Sequence, residues 1–248
     1  MEAAMRIEHW GKLVVRVTGG LDGRGSGTGP VVVLLHGFGA PGSDLVPLGS
    51  ALALPATVRF VYPEAPLALG FDSGYGDARA WWWLDPSEFE RAIDTGTVAE
   101  LINKVPEGLF QASQAIRDLM LHIQKELGVD TDQIVLGGFS QGAVLAMDAA
   151  LGMDTQIAGL VLLSGAIVSR QQWLARLAAH RKCPVFQSHG NDDPILPFGL
   201  AEQLHQTLLD AGLTVQWHPF AGGHGIPVEV LQSLRDFLLR VFAVQRLV

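Results

Sequence analysis

The stretch that decides the fold runs from Gln133 to Ala150 and reads QIVLGGFSQGAVLAMDAA. Its first five residues are mostly apolar and include the β-branched pair Ile134 and Val135, which predicts a buried strand. Its last nine residues are typical of a buried helix. Ser140 lies on the short turn between them. Glycines two positions before and after it, Gly138 and Gly142, avoid a steric collision in such a tight turn. The stretch therefore predicts a serine held in a strained conformation between a strand and a helix.

Similar apolar runs alternate with segments of helical periodicity along the rest of the chain. This order is typical of an α/β fold, with a mostly parallel sheet and helices on both faces. The predicted strands are Leu13–Val17, Val31–Leu35, Val58–Tyr62, Gln133–Gly137, Gly159–Leu163, Val185–Ser188 and Thr214–His218, and the predicted helices are Asp44–Leu52, Gly108–Leu127, Gly142–Ala150, Gln171–His180, Leu200–Ala211 and Val228–Phe242.

Length and composition bound the class of protein. The chain has 248 residues, of which 48% are hydrophobic and 17% charged, and this is enough to enclose the core of one α/β domain spanning residues 1–248. A formal net charge of −8 argues against nucleic acid or an anionic membrane as the main partner and favours a small molecule. The first ten residues lack the apolar run of a secretory signal, and no apolar segment is long enough to span a membrane. With a single cysteine, the chain cannot form an intrachain disulfide. We expect a cytoplasmic protein and leave its oligomeric state open, with a homodimer among the alternatives.

One long connection interrupts the alternation, between Pro63 and Pro106 (residues 63–106). Connections of this length inside a domain are usually lids or binding loops, so we expect it to contribute to substrate binding. The aromatic residues expected to wall a pocket are Phe71, Tyr75, Trp81, Trp82 and Trp83. Core packing is an equal alternative for the three tryptophans, because consecutive side chains point in different directions.

A serine hydroxyl is a weak nucleophile at neutral pH, so Ser140 needs a base and a group that orients the base. His224 follows the last predicted strand, and Asp193 follows the strand before it. Loops that leave the carboxyl ends of parallel strands converge on one edge of the sheet, which would bring the three together. Asp192 competes with Asp193 for the orienting role, and the spacing from His189 and Gly190 favours Asp193. The simpler alternatives are an ordinary turn serine at 140 and a capping histidine at 224.

The segment His36 to Gly39 leaves another strand at the same edge. The backbone N–H groups of Phe38 and Gln141 are candidates to stabilise the oxyanion of a tetrahedral intermediate. No histidine pair has metal-ligand spacing with a nearby carboxylate or thiol, so we expect no metal. The glycine-rich connection Gly19 to Pro30 is not followed by a helix, so it does not predict a phosphate-binding loop or a nucleotide cofactor.

Several motifs together resemble the phospholipase/carboxylesterase family of α/β-hydrolases, which includes the acyl-protein thioesterases. They are His36-Gly37-Phe38-Gly39, Pro63-Glu64-Ala65-Pro66, Arg79-Ala80-Trp81-Trp82, Gly138-Phe139-Ser140-Gln141-Gly142, the run from His189-Gly190 to Pro197, and Gly223-His224. The resemblance covers most of the chain. It implies an α/β-hydrolase fold, with Ser140 as nucleophile, Asp193 as acid, His224 as base, and Phe38 and Gln141 as oxyanion donors.

We therefore expect a serine carboxylesterase that acts on a small-molecule ester without a cofactor. The alternatives are a thioesterase acting on acylated protein or acyl-CoA and, from another class, a ligand-binding homologue without turnover. The tryptophan triplet and the long stretch to Pro106 depart from the usual thioesterase pattern, which leaves the substrate preference open.

Overall fold

An eight-stranded sheet forms the centre of the computed structural model, which describes residues 4–70, 76–97, 100 and 103–245. The order of strands across the sheet is β1-β2-β4-β3-β7-β8-β9-β10. These strands are β1 Arg6–Trp10, β2 Leu13–Gly19, β3 Val31–Leu35, β4 Arg59–Pro63, β7 Ile134–Phe139, β8 Gly159–Leu163, β9 Val185–Gly190 and β10 Val215–Phe220, and a separate small sheet pairs β5 Leu67–Ala68 with β6 Arg79–Ala80.

Most of the sheet is parallel. β2 runs antiparallel to both of its neighbours, β1 and β4, whereas β4, β3, β7, β8, β9 and β10 pair in parallel. The carboxyl ends of the parallel strands therefore lie along one edge, where sites in open α/β sheets form. This confirms the predicted α/β class.

Helices cover both faces of the sheet. Those of the described residues are α1 Val46–Ala51, α2 Pro86–Thr95, α3 Leu109–Leu127, α4 Gln141–Leu151, α5 Arg170–Leu177, α6 Phe198–Asp210 and α7 Val228–Gln245. Alternate residues of β3 enter two separate core clusters: one includes residues of α3, α4, α5 and α6, and the other includes residues of α7 and the ends of α1. A parallel strand buried on both sides explains why β3 is apolar at every position. Within the described ranges, no helix is both long and apolar enough to cross a membrane.

Four elements were not predicted: the two-residue strands β5 and β6, the edge strand β1 and the helix α2. The first four residues of β1 alternate between half-buried and exposed positions and include Arg6, Glu8 and His9, so the composition does not indicate a strand. β1 is an edge strand, joined to β2 by a turn at Gly11. α2 lies inside the long connection, where Pro86 opens the helix and Glu88 lies in its first turn. The other elements agree with the predicted ones to within a few residues.

Candidate active site

Ser140 lies on a sharp turn between β7 and α4, as predicted. Its φ and ψ are 55° and −119°, a conformation that non-glycine residues rarely adopt. Two backbone bonds hold the turn: the Ser140 N–H donates to the Leu163 carbonyl (2.8 Å), and the Ser140 carbonyl accepts the N–H of Ala143 (2.9 Å). The strain is thus supported by the end of β8 on one side and by the first turn of α4 on the other.

The two glycines of the turn are required by close backbone packing. A Cβ atom on Gly142 would lie 2.0 Å from the Leu35 carbonyl oxygen, and one on Gly138 would lie 2.4 Å from the Gly142 carbonyl. Non-bonded atoms in a folded protein do not approach one another this closely. The end of β3, where Leu35 lies, is therefore pressed directly against the serine turn.

Gln141 begins α4 and has two separate features. Its backbone N–H is one of the first four of the helix, which have no partner within the helix, and it lies at the positive end of the helix dipole. Its buried side chain joins α4 to the tryptophan segment: the Trp81 N–H donates to Oε1 (3.0 Å), and Nε2 donates to the Trp82 carbonyl (2.9 Å). Sequence reasoning assigned only the backbone group of Gln141 and missed the role of its side chain.

The loop after β3 lies beside Ser140. A Cβ atom added to Gly37 would be 3.4 Å from the Ser140 Cβ and 3.3 Å from Cδ1 of Phe139, so the loop is in packing contact with the serine turn. Further along the loop, the Gly39 N–H donates to the Arg79 carbonyl (2.9 Å), which attaches the loop to β6. Phe38, the other candidate oxyanion donor, lies between these two fixed points.

His224 and Asp193 contact each other at the same edge of the sheet. The Nδ1 atom of His224 lies 2.7 Å from the Oδ2 atom of Asp193. The His224 ring packs against the ring of Phe139, with 4.8 Å between centroids. Because Phe139 directly precedes Ser140, the imidazole lies next to the serine turn. Asp192, the alternative acid, is exposed, whereas the Asp193 side chain is fully buried.

The Asp193 carboxylate is surrounded by hydrogen-bond donors. Its Oδ1 accepts the backbone N–H groups of Ile195 (2.8 Å) and Leu196 (2.9 Å). Burial of the carboxyl acts to raise its pKa, but the hydrogen bonds from His189, His224 and the two backbone groups outweigh burial and hold the pKa well below its usual range. Asp193 is therefore ionised at neutral pH, the state that stabilises an imidazolium.

Backbone contacts join the loops that carry Asp193 and His224. The Asp192 N–H donates to the Gly222 carbonyl (2.9 Å), and a Cβ atom on Gly190 would lie 2.3 Å from the Gly223 carbonyl. The Ser164 hydroxyl, just beyond β8, donates to the Gly225 carbonyl (3.3 Å). The histidine loop is thus anchored to the ends of both β8 and β9.

The tryptophan triplet divides between core and surface. Trp81 and Trp82 are 3% and 2% exposed, and the Trp81 indole donates to the His36 carbonyl (2.9 Å). Trp83 is 68% exposed, and its ring meets the ring of Phe38 edge to face at 6.0 Å. The structure therefore favours the core interpretation for Trp81 and Trp82 and leaves Trp83 as the candidate substrate contact.

Two further predicted pocket residues, Phe71 and Tyr75, lie outside the described residues. From the sequence, His189 served only to measure the spacing to Asp193, but its side chain contacts that residue: the Nε2 atom of His189 lies 3.2 Å from Oδ2 of Asp193. The sequence signal for this contact is only the proximity of His189 to Asp193.

In the part of the chain that the structure describes, no group of three or more histidine, cysteine or carboxylate side chains is arranged to hold a metal ion.

The mostly parallel sheet, the serine turn after β7 and the histidine loop after β10 define an α/β-hydrolase. Residues 25–241 match the family model described as Phospholipase/Carboxylesterase. The chain belongs to this family, as its motifs indicated, and it is a serine hydrolase.

Individual relatives agree with this assignment. Acyl-protein thioesterase 1 of Neurospora crassa is 27% identical to the chain over 216 residues, which cover 84% of each chain. The protein of the same name from Saccharomyces cerevisiae is 30% identical over 223 residues, covering 84% of this chain and 90% of its own. Among solved structures, that of esterase PE8 has a TM-score of 0.74 and 26% identity, covering 91% of this chain and 97% of its own. These names do not separate esterase from thioesterase.

Proposed function

We propose that the chain is a carboxylesterase that hydrolyses esters of small or medium acyl chain through an acyl-enzyme on Ser140. One observation carries the proposal. The 2.7 Å contact between His224 and the buried Asp193 orients an imidazole that packs on Phe139, the residue before Ser140. A strained serine, an oriented base and an ionised acid at one edge of the sheet are the parts that acyl transfer requires.

In the first half of the reaction, Ser140 Oγ attacks the ester carbonyl while His224 Nε2 takes the hydroxyl proton. The Nδ1–H of His224 donates to Asp193 throughout, which fixes the tautomer and stabilises the imidazolium. The tetrahedral oxyanion is held by the backbone N–H groups of Gln141 and Phe38, helped by the dipole of α4. Collapse of the intermediate breaks the ester C–O bond, and the His224 proton passes to the departing alkoxide.

In the second half, water attacks the acyl-enzyme. His224 takes a proton from the water, the oxyanion forms again in the same place, and collapse returns the proton to Ser140 Oγ. The products are a carboxylic acid and the regenerated enzyme. Each step uses the same three side chains and the same two backbone donors.

Trp83 supports an apolar acyl or alcohol site beside the oxyanion donors. Its ring is exposed and contacts Phe38, so an apolar substrate group placed there would cover surface that is now open to water. In the proposal, the long connection of residues 63–106 supplies this wall.

Hydrolysis of short and long p-nitrophenyl acyl esters tests the proposal. The Ser140→Ala variant should lose roughly four orders of magnitude in kcat or more, because it lacks the nucleophile. Ser50→Ala, which removes an exposed hydroxyl on α1, serves as the matched control and should retain wild-type turnover. Undiminished turnover by Ser140→Ala would remove Ser140 from the mechanism.

The second candidate is a thioesterase, favoured by the acyl-protein thioesterase relatives at 27% and 30% identity. The same catalytic parts cleave thioesters. Parallel assays on an acyl-CoA and a p-nitrophenyl ester of the same chain length separate the two candidates by their relative kcat/KM. A kcat/KM that is higher for the thioester would replace the carboxylesterase proposal.

A further inference from the structure

His189 lies at the carboxyl end of β9 with its side chain fully buried. Its Nε2 atom is 2.8 Å from the Leu196 carbonyl oxygen and 3.2 Å from Oδ2 of Asp193. The ring of Phe198 lies beside it, with 6.2 Å between centroids. The polar contacts of this imidazole thus face the loop that carries the acid of the proposed triad.

The contacts determine which nitrogen carries the proton. A carbonyl oxygen only accepts hydrogen bonds, so the Nε2 atom that faces Leu196 must be a donor. The other nitrogen, Nδ1, is buried and has no partner among the described residues. If Nδ1 carried the proton, it would be a buried N–H without an acceptor, so the proton lies on Nε2. His189 is therefore the Nε2–H tautomer, and its hydrogen is shared between the Leu196 carbonyl and Asp193.

Two histidines therefore meet on one oxygen of the same carboxylate. Oδ2 of Asp193 faces both His224 (2.7 Å) and His189 (3.2 Å), while Oδ1 accepts two backbone N–H groups. Rotation of the carboxylate about its Cβ–Cγ bond would break these contacts together. In the described part of the chain, His189 and His224 are the titratable side chains that contact Asp193. The rings packed on the two histidines, Phe198 and Phe139, are uncharged.

We propose that His189 is a positioning residue, whose shared Nε2–H fixes the plane of the Asp193 carboxylate so that Oδ2 stays aimed at His224. The inference rests on the proposed function, because the role of Asp193 matters only if His224 is the base. His189 does not touch the reacting atoms. It acts through the acid and by attaching the Leu196 carbonyl to the end of β9.

Two substitutions of His189 separate the donor from the bulk of the ring. In His189→Gln, the side-chain amide nitrogen falls near the Nε2 position, and in His189→Asn it falls near the Nδ1 position and does not reach Oδ2. We expect His189→Asn to lower kcat by roughly ten- to a hundredfold, the range for loss of a hydrogen bond to a charged group, with KM unchanged. His189→Gln, which keeps a donor near the Nε2 position, should retain most of the wild-type kcat.

The pH profile gives a readout that a purely structural role would not move. Without the second donor, the charge on Oδ2 serves His224 alone and stabilises its imidazolium more strongly. The acid-side midpoint of kcat/KM should therefore rise in His189→Asn and stay at the wild-type value in His189→Gln. If both variants kept the wild-type kcat and the wild-type midpoint, the proposal would be overturned. The same loss of kcat in both variants would also overturn it.

A measurement on the unmodified protein covers the case in which a variant does not fold. In ¹⁵N-histidine-labelled protein, His189 should show the Nε2–H tautomer, with a one-bond N–H coupling at Nε2 and none at Nδ1. The opposite tautomer would overturn the proposal. Hydrolysis by wild type and Ser140→Ala is measured first, so a failure of the proposed function is seen as Ser140-independent turnover, separately from any result at His189.

Discussion

The Nδ1 atom of His224 lies 2.7 Å from the Oδ2 atom of Asp193, although the two residues are 31 positions apart in the chain. This contact gives the histidine a fixed tautomer. With Nδ1 as donor to the carboxylate, Nε2 is left with its lone pair free to accept a proton. A base with its lone pair directed in this way is the feature that separates an active serine from an ordinary one.

Replacing Asp193 by Asn should therefore remove most of the activity. An amide can donate to Nδ1 and so stabilise the wrong tautomer, and we expect kcat to fall by roughly 10³- to 10⁴-fold. Asp192→Asn is the matched control, since it makes the same chemical change at the neighbouring exposed position, and it should stay within about twofold of wild type. Ester hydrolysis by the two purified variants measures both. Comparable losses in the two would show that the acid has been assigned to the wrong residue.

The ionised state of Asp193 predicts how stability depends on pH. Because the pKa of Asp193 is held below its usual range in the folded protein, this carboxylate is protonated at a higher pH in the unfolded chain than in the folded one. The stabilisation is complete at neutral pH and is lost progressively as the pH falls through about 4, the ordinary value for aspartate, and below. The difference in free energy of unfolding between wild type and Asp193→Asn should therefore narrow in urea titrations from pH 7 to pH 3. A difference that does not change with pH would contradict this.

The serine turn should not tolerate a methyl group at Gly142. A Cβ there would lie 2.0 Å from the Leu35 carbonyl oxygen, so Gly142→Ala should destabilise the fold by at least about 3 kcal/mol or prevent folding. Gly199→Ala in α6 is the matched control, because a Cβ at Gly199 meets nothing within 4 Å. This control should be within about 1 kcal/mol of wild type. Circular dichroism during urea unfolding compares the two. A fully stable Gly142→Ala protein would mean that β3 does not approach the turn so closely.

The side chain of Gln141 should matter for stability independently of catalysis. In Gln141→Leu, the Trp81 N–H and the Trp82 carbonyl lose their buried partners, which should cost about 1–3 kcal/mol for each group left unpaired. Gln206→Leu removes an exposed glutamine whose amide donates to Asp210 on the same helix, and it should change the free energy of unfolding by less than about 0.5 kcal/mol. Thermal unfolding of both variants measures the contrast. Equal, small effects would show that the amide does not anchor the tryptophan segment.

The serine turn and the parallel strands were predictable because their constraints are local. A strand buried on both faces must be apolar at every position, as Val31–Leu35 is. A turn as tight as that at Ser140 requires glycine two positions before and two positions after the serine. Both conditions leave a mark in a few consecutive residues. The positions of Asp193 and His224 followed from the rule that loops at the carboxyl ends of parallel strands converge.

Other features depend on contacts between distant residues and leave no such mark. The sequence around His189 does not show that its ring contacts Asp193. His189 lies at the carboxyl end of β9, but Asp193 lies in the irregular loop after it, where spacing does not fix the orientation of a side chain. Likewise, the pairing of the Gln141 amide with Trp81 and Trp82 joins residues about 60 positions apart. That contact decides which tryptophans are core and leaves Trp83 at the surface, a division that three identical consecutive residues do not reveal.

The most direct test of the central claim is the site of covalent labelling by a fluorophosphonate probe, which reacts only with an activated serine. Peptide mapping by mass spectrometry should find the adduct on Ser140 in the wild type, a greatly reduced yield in His224→Gln, and none in Ser140→Ala. An unlabelled wild-type protein would favour a ligand-binding homologue without turnover. An adduct on a different serine would contradict the account outright.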